Sequence, residues 1–133
     1  LESVGALVMG SSTYGWVVRN HPGDWMYEQP TWVLTHRPEI IVDGQPVQAF
    51  SGEVTKLHSE LVSKAAGKDI WVVGGGAAAG QFVAAGLVDE LIVTYAPCSP
   101  GSGARLLPVR SEWRLAEAAV NGEFVGARWV RAG

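Results

Sequence analysis

The chain has 133 residues, 47% of them hydrophobic and 17% charged, with a formal net charge of −3. These values suit one folded domain with a substantial core and exclude a disordered segment. The ten Lys and Arg residues are scattered among thirteen acidic ones, which excludes a nucleic-acid binder, because phosphate-backbone contacts need clustered cations.

Cys98 is alone, so an intrachain disulfide framework is excluded as well. No apolar stretch approaches the ~20 residues that span a bilayer. A cytoplasmic setting and a small-molecule partner are expected, with neither nucleic acid nor membrane. Leu1-Glu2-Ser3-Val4 carries no initiator Met and runs straight into an element, so a fragment of a longer protein is expected.

The first element is the apolar run Ala6 to Met9, the pattern of a strand buried on both faces. It ends at Gly10, and Ser11-Ser12-Thr13 offers helix N-caps. Tyr14, Trp16 and Val17 form the apolar side of a short helix, which the turn residues His21-Pro22-Gly23-Asp24 end. Thr31 to Thr35 is β-branched and aromatic and reads as a second strand, closed by Pro38. Pro46 to Phe50 is a short strand after Asp43-Gly44.

Ser51 then caps a helix whose stripe is Val54, Leu57, Leu61, Val62 and Ala65, ended by Gly67. Asp69 to Val73 is the next strand. Gly74-Gly75-Gly76 follows it, then an Ala-rich helix that stops at Gly86. Val88 to Ala96 is a long strand. Trp113 to Val120 and Glu123 to Val130 flank Asn121-Gly122, the strongest short-range hairpin signal in the chain. The expected fold is α/β. It has three layers, α-β-α, around a mostly parallel mixed sheet that ends in an antiparallel C-terminal hairpin, and it forms a single domain over residues 1–133.

In such sheets ligands bind beyond the carboxyl ends of the strands. Three segments fall there. Gly10, Ser11, Ser12 and Thr13 offer hydroxyls and free N–H groups, or simply cap a helix. Thr35, His36 and Arg37 offer a planar cation for a phosphate or an adenine ring, or form a solvated loop. Gly74, Gly75 and Gly76 remove side chains where N–H groups can approach a phosphate, or make a tight turn.

The glycines lack the G-x-G-x-x-G spacing of a dinucleotide fingerprint, and no Walker lysine follows them. His21, His36 and His58 show no metal-ligand spacing, and Cys98 has no local base. Thr94 can place a hydroxyl in a cleft or be satisfied by backbone.

Together, Val8-Met9-Gly10-Ser11-Ser12-Thr13-Tyr14, Val33 to Pro38, Ile70 to Gly76 with Gln81-Phe82, and Gly86 to Leu91 resemble the dihydrofolate-reductase-like superfamily. The likeness is to the reductase domain of bacterial riboflavin biosynthesis and covers nearly the whole chain. It implies an NADPH-binding domain that transfers hydride to a C=N or C=O bond of a small heterocycle, 5-amino-6-ribosylamino-pyrimidine in type, and it implies a homodimer.

By the same resemblance, Gly10 to Thr13 meet the cofactor pyrophosphate, and Leu34, Thr35, His36 and Arg37 meet the adenosine and its 2′-phosphate. Val73, Gly74, Gly75, Gly76, Ala77, Ala78 and Ala79, with Gln81, surround the pyrophosphate and nicotinamide. Thr94 is the candidate at the substrate, and no catalytic residue is assigned. The family usually carries an arginine where this chain has Ser11, and it begins with a strand and loop that the residues before Leu1 would have to supply. Two alternatives stay open: a non-catalytic nucleotide-binding or dimerisation module that keeps the fold, and dihydrofolate reduction.

Overall fold

The computed structural model describes residues 3–21, 23, 25, 27–42, 44–73, 76–103 and 105–132. Ala6, Leu7, Val8 and Met9 are wholly buried, and they form the middle of strand β1 (Val4–Gly10). A run apolar on both faces of a strand can be satisfied only between two covering layers. β1 accordingly pairs in parallel on both sides, with β2 (Thr31–Leu34) and with β4 (Asp69–Val72). Strand β3 (Val47–Phe50) adds in parallel to β2, which gives the order β3-β2-β1-β4.

Alternation along β1 divides the core. Ala6 and Val8 face a cluster with Trp32 and with Leu57, Leu61 and Ala65 of helix α2 (Val54–Ala65), joined by Phe82 of helix α3 (Gly76–Ala84). Met9 faces the other way, into Tyr14 and Val33, below helix α1 (Ser11–Asn20). Three layers result, as the sequence pattern predicts.

Two residues of the predicted helix stripes prove to be exposed, Trp16 and Val62. Each is next in sequence to buried residues, and a turn of 3.6 residues carries it off the core face. The backbone of α2 already turns left-handed at Ala66 (φ 54°), one residue before the predicted stop at Gly67.

The chain then builds β5 (Glu90–Tyr95), β6 (Trp113–Asn121) and β7 (Phe124–Arg131), all antiparallel in the order β5-β7-β6. The hairpin turn is Gly122-Glu123, with Asn121 paired to Phe124 and Gly122 at φ 64°. A glycine at the first central position matches the right-handed strand twist.

The parallel and antiparallel parts are both as predicted, but they are hydrogen-bonded as two sheets. β5 pairs with β7 and not with β4. One face of the second sheet is solvated. There Arg128 pairs with Glu90 and Glu117 across the strands, and the hydrogen bond to Glu90 raises its pKa above the usual arginine value.

Gly5 sets how closely the sheet and α2 approach, since a methyl there would overlap the Ala65 carbonyl. Gly5→Ala is expected to lower stability by about 1–3 kcal/mol, as overpacking does, read as a fall in the urea midpoint. Gly126→Ala meets nothing within 4 Å and is the control that leaves the midpoint unchanged or raises it.

Candidate functional site

Parallel register brings the strand ends to one edge. Gly10 lies opposite Leu34, Leu34 opposite Phe50, and Val8 opposite Val72. The Val73 N–H donates to the Val8 carbonyl at 2.8 Å, which extends this edge one residue past β4.

Helix α1 starts directly after β1. Its N-cap is Gly10, in extended geometry (φ −81°, ψ 167°), and no side chain caps it. The sequence pattern predicts the serines at the cap. They instead occupy the first helical turn, so their hydroxyls and the first-turn N–H groups, which have no carbonyl partner within the helix, are open to a ligand. Ala78 of α3 is buried, and its Cβ lies 3.5 Å from where a Gly10 Cβ would stand. Two helix N-termini therefore sit side by side at this edge, and both favour negative charge.

A cavity of about 460 Å³ opens beside the first of them. Ser11, Ser12, Gly15 and Arg19 form its α1 wall, and Arg37 and Ile40 form the wall that follows β2. Ile40 ends a short 3-10 turn (Pro38–Ile40). That wall is held by Tyr14, a buried residue whose hydroxyl accepts from the Val42 N–H at 2.9 Å and donates to Gln45 Oε1 at 2.5 Å. Arg37 is exposed, and its N–H donates to Thr35 Oγ1 at 3.0 Å. Neither Arg19 nor Arg37 forms an ion pair among the described residues, nor do Arg105 and Arg114, whereas Arg110, Arg128 and Arg131 do; only Arg19 and Arg37 share the cavity. A hydroxyl-lined cavity with two unpaired guanidinium groups fits a phosphate ester.

The other expected residues lie around this centre. Thr13 continues the first turn of α1, and Leu34 is half-buried at the end of β2. His36 is exposed and engaged through Nδ1 with Ser51 Oγ at 2.7 Å. Val73 packs toward Met9, Tyr14 and Val33. Gly74 and Gly75 lie outside the described residues.

Gly76 opens α3, and its missing side chain makes room for the Arg105 carbonyl. Packing alone therefore demands a glycine there. Ala77 and Gln81 are exposed on one face of α3, with Ala79 half-buried. Thr94 is exposed on β5 opposite Gly126 and does not line the cavity. Among the described residues no group of His, Cys, Asp or Glu can hold a metal, and no helix is long and apolar enough to cross a membrane.

Arg19, Gly15 and Ile40 escaped the sequence reading. The available signal was the four-residue spacing Ser11, Gly15, Arg19, which places all three on one helix face.

Comparison with known proteins extends this description. The model of the family described as "RibD C-terminal domain" matches residues 16–123. An uncharacterised protein of Bacillus subtilis (strain 168), YwjB, is 27% identical over 98% of this chain and 76% of its own length. A putative riboflavin biosynthesis protein from Shewanella sp. PV-4 superposes with a TM-score of 0.84 at 25% identity, covering 99% of this chain and 76% of that one. A pyrimidine reductase-like protein from Corynebacterium diphtheriae shares the fold at a TM-score of 0.70 and 12% identity, over 98% of this chain and 77% of that one.

The cavity wall yields its own test. Tyr14→Phe leaves the Val42 N–H without its acceptor, which is expected to cost about 1–3 kcal/mol. Thermal unfolding reads the loss, and amide exchange at Val42 is expected to accelerate while exchange within β1 tracks global stability only.

Proposed function

The chain belongs to the RibD C-terminal domain family, and from that premise we propose that it is an NADPH-dependent reductase acting on a small pyrimidine-type heterocycle. The observation that carries this reading is the cavity at the carboxyl edge of the parallel sheet, where Arg37, Arg19, Ser11 and Ser12 converge beside an uncapped helix N-terminus. Its volume suits one nucleotide-sized moiety, so it would take the adenosine phosphate end of the cofactor. The paired N-termini of α1 and α3 would face the pyrophosphate. The bound cofactor supplies the hydride.

This chain's own part is to bind and orient. Arg37 grips a phosphate, the open N–H groups of α1 stabilise negative charge, and the packed sheet holds the two helix ends side by side. The names of the Shewanella and Corynebacterium relatives favour a riboflavin-pathway pyrimidine over folate as substrate class. Thr94 stays the candidate on the substrate side, and the reading does not depend on it.

A cytoplasmic homodimer is part of the proposal. Tyr95, Leu115, Val120 and Val125 share one face of the second sheet, and all are exposed. An apolar face of this kind fits association with a second copy. Val120→Glu is expected to lower the mass seen in sedimentation, and a wild-type protein that sediments as a monomer would remove this part.

The cofactor test is a titration with NADPH and NADH followed by quenching of tryptophan emission. Arg37→Ala is expected to weaken NADPH by about tenfold and NADH far less, the size of one charge-assisted contact. Absence of quenching at millimolar cofactor would sink the proposal. Oxidation of bound NADPH by the ribosylamino-pyrimidine, and not by dihydrofolate, is the expected turnover result. Binding without turnover on either would leave a non-catalytic nucleotide-binding module.

A further inference from the structure

Arg19 stands in the last turn of α1 and lines the cavity together with Arg37. Its Nη1 lies 3.2 Å from where a Cβ on Gly15 would stand. The side chain is therefore folded back along the helix, over the one residue of that face that has no side chain. This brings the guanidinium one turn closer to Ser11 and Ser12, which sit on the same face.

Two cations thus share one cavity, with no carboxylate paired to either among the described residues. Like charges placed together repel, and the free energy falls when an anion binds between them. The charge of that anion matters. A diester phosphate carries one negative charge and is matched by one arginine, whereas a phosphate monoester carries about −1.5 to −2 at neutral pH.

We infer that Arg19 and Arg37 together form a two-arginine site for a phosphate monoester, with Arg19 an unassigned specificity residue that reads the 2′-phosphate of the cofactor. The inference rests on the proposed cofactor, and it adds a residue from α1 to the contact expected from the end of β2. Gly15 lies beneath the Arg19 guanidinium, on the face the two residues share. The hydroxyls of Ser11 and Ser12 can donate to the remaining phosphate oxygens.

The test uses the whole chain and measures binding of NADPH, NADH, adenosine 2′-monophosphate and ribose 5-phosphate by calorimetry. Arg19→Gln is expected to weaken NADPH and adenosine 2′-monophosphate about tenfold and to leave NADH unchanged. In the Arg19→Gln/Arg37→Gln double variant the losses are expected to be non-additive, because both groups hold one ligand. Arg19 is exposed, so circular dichroism should be unaltered, which separates lost contact from lost fold.

Wild-type protein that binds NADPH while Arg19→Gln leaves the NADPH-to-NADH ratio unchanged would overturn this inference alone. Preference of the wild type for ribose 5-phosphate over adenosine 2′-monophosphate would overturn it too, by assigning the site to a sugar phosphate. A wild type that binds neither NADPH nor adenosine 2′-monophosphate would remove the proposed function and this inference with it.

Discussion

The molecule depends on β1 being buried on both faces and paired in parallel on both sides. Leu7, Val8 and Met9 are wholly buried, so the strand can neither turn over nor slip by one residue without moving its side chains to the opposite layer. That register sets Gly10 opposite Leu34 and sends β1, β2 and β4 out of the sheet at the same edge. A cavity lined by α1 and by the segment after β2 exists because those two segments leave neighbouring strands at the same level.

Around that edge the chain uses the absence of side chains in different ways. At Gly76 it admits the Arg105 carbonyl, and at Gly15 the Arg19 guanidinium lies over the position a side chain would take. Charge is distributed unevenly as well. In the second sheet Arg128 and Arg131 are neutralised by Glu90, Glu117 and Asp89, and such exposed pairs contribute little to stability. At the cavity the two arginines have no such partners among the described residues. Their arrangement makes physical sense as a ligand site more readily than as a structural one.

The second sheet is joined to the first through α3, and the two are not hydrogen-bonded to each other. One face carries the ion pairs of Arg128 with Glu90 and Glu117 beside the exposed Ile92 and Phe124, and the other keeps Tyr95, Val120 and Val125 exposed. The parallel sheet carries the core and the edge where the cavity opens, and the antiparallel sheet presents exposed apolar surface.

The sequence by itself determined the order of the elements, the three layers and the position of the strand ends. These follow from local patterns: continuous apolar runs, helix-spaced Leu57 and Leu61, and turn residues between them. The resemblance carried by Gly10 to Tyr14, Val33 to Pro38 and Ile70 to Gly76 also pointed to the family that the comparison supports. Only the tertiary structure decided which residues meet. Arg19 lies eighteen positions from Arg37, and nothing local links them. Their sharing of one cavity depends on how α1 packs on the sheet, with Tyr14 holding the Val42 backbone beside it. In the same way, the sequence offers Gly76 as a phosphate cradle while the fold sets the Arg105 carbonyl against it, because periodicity records which way a residue faces and not what the chain later brings up to it.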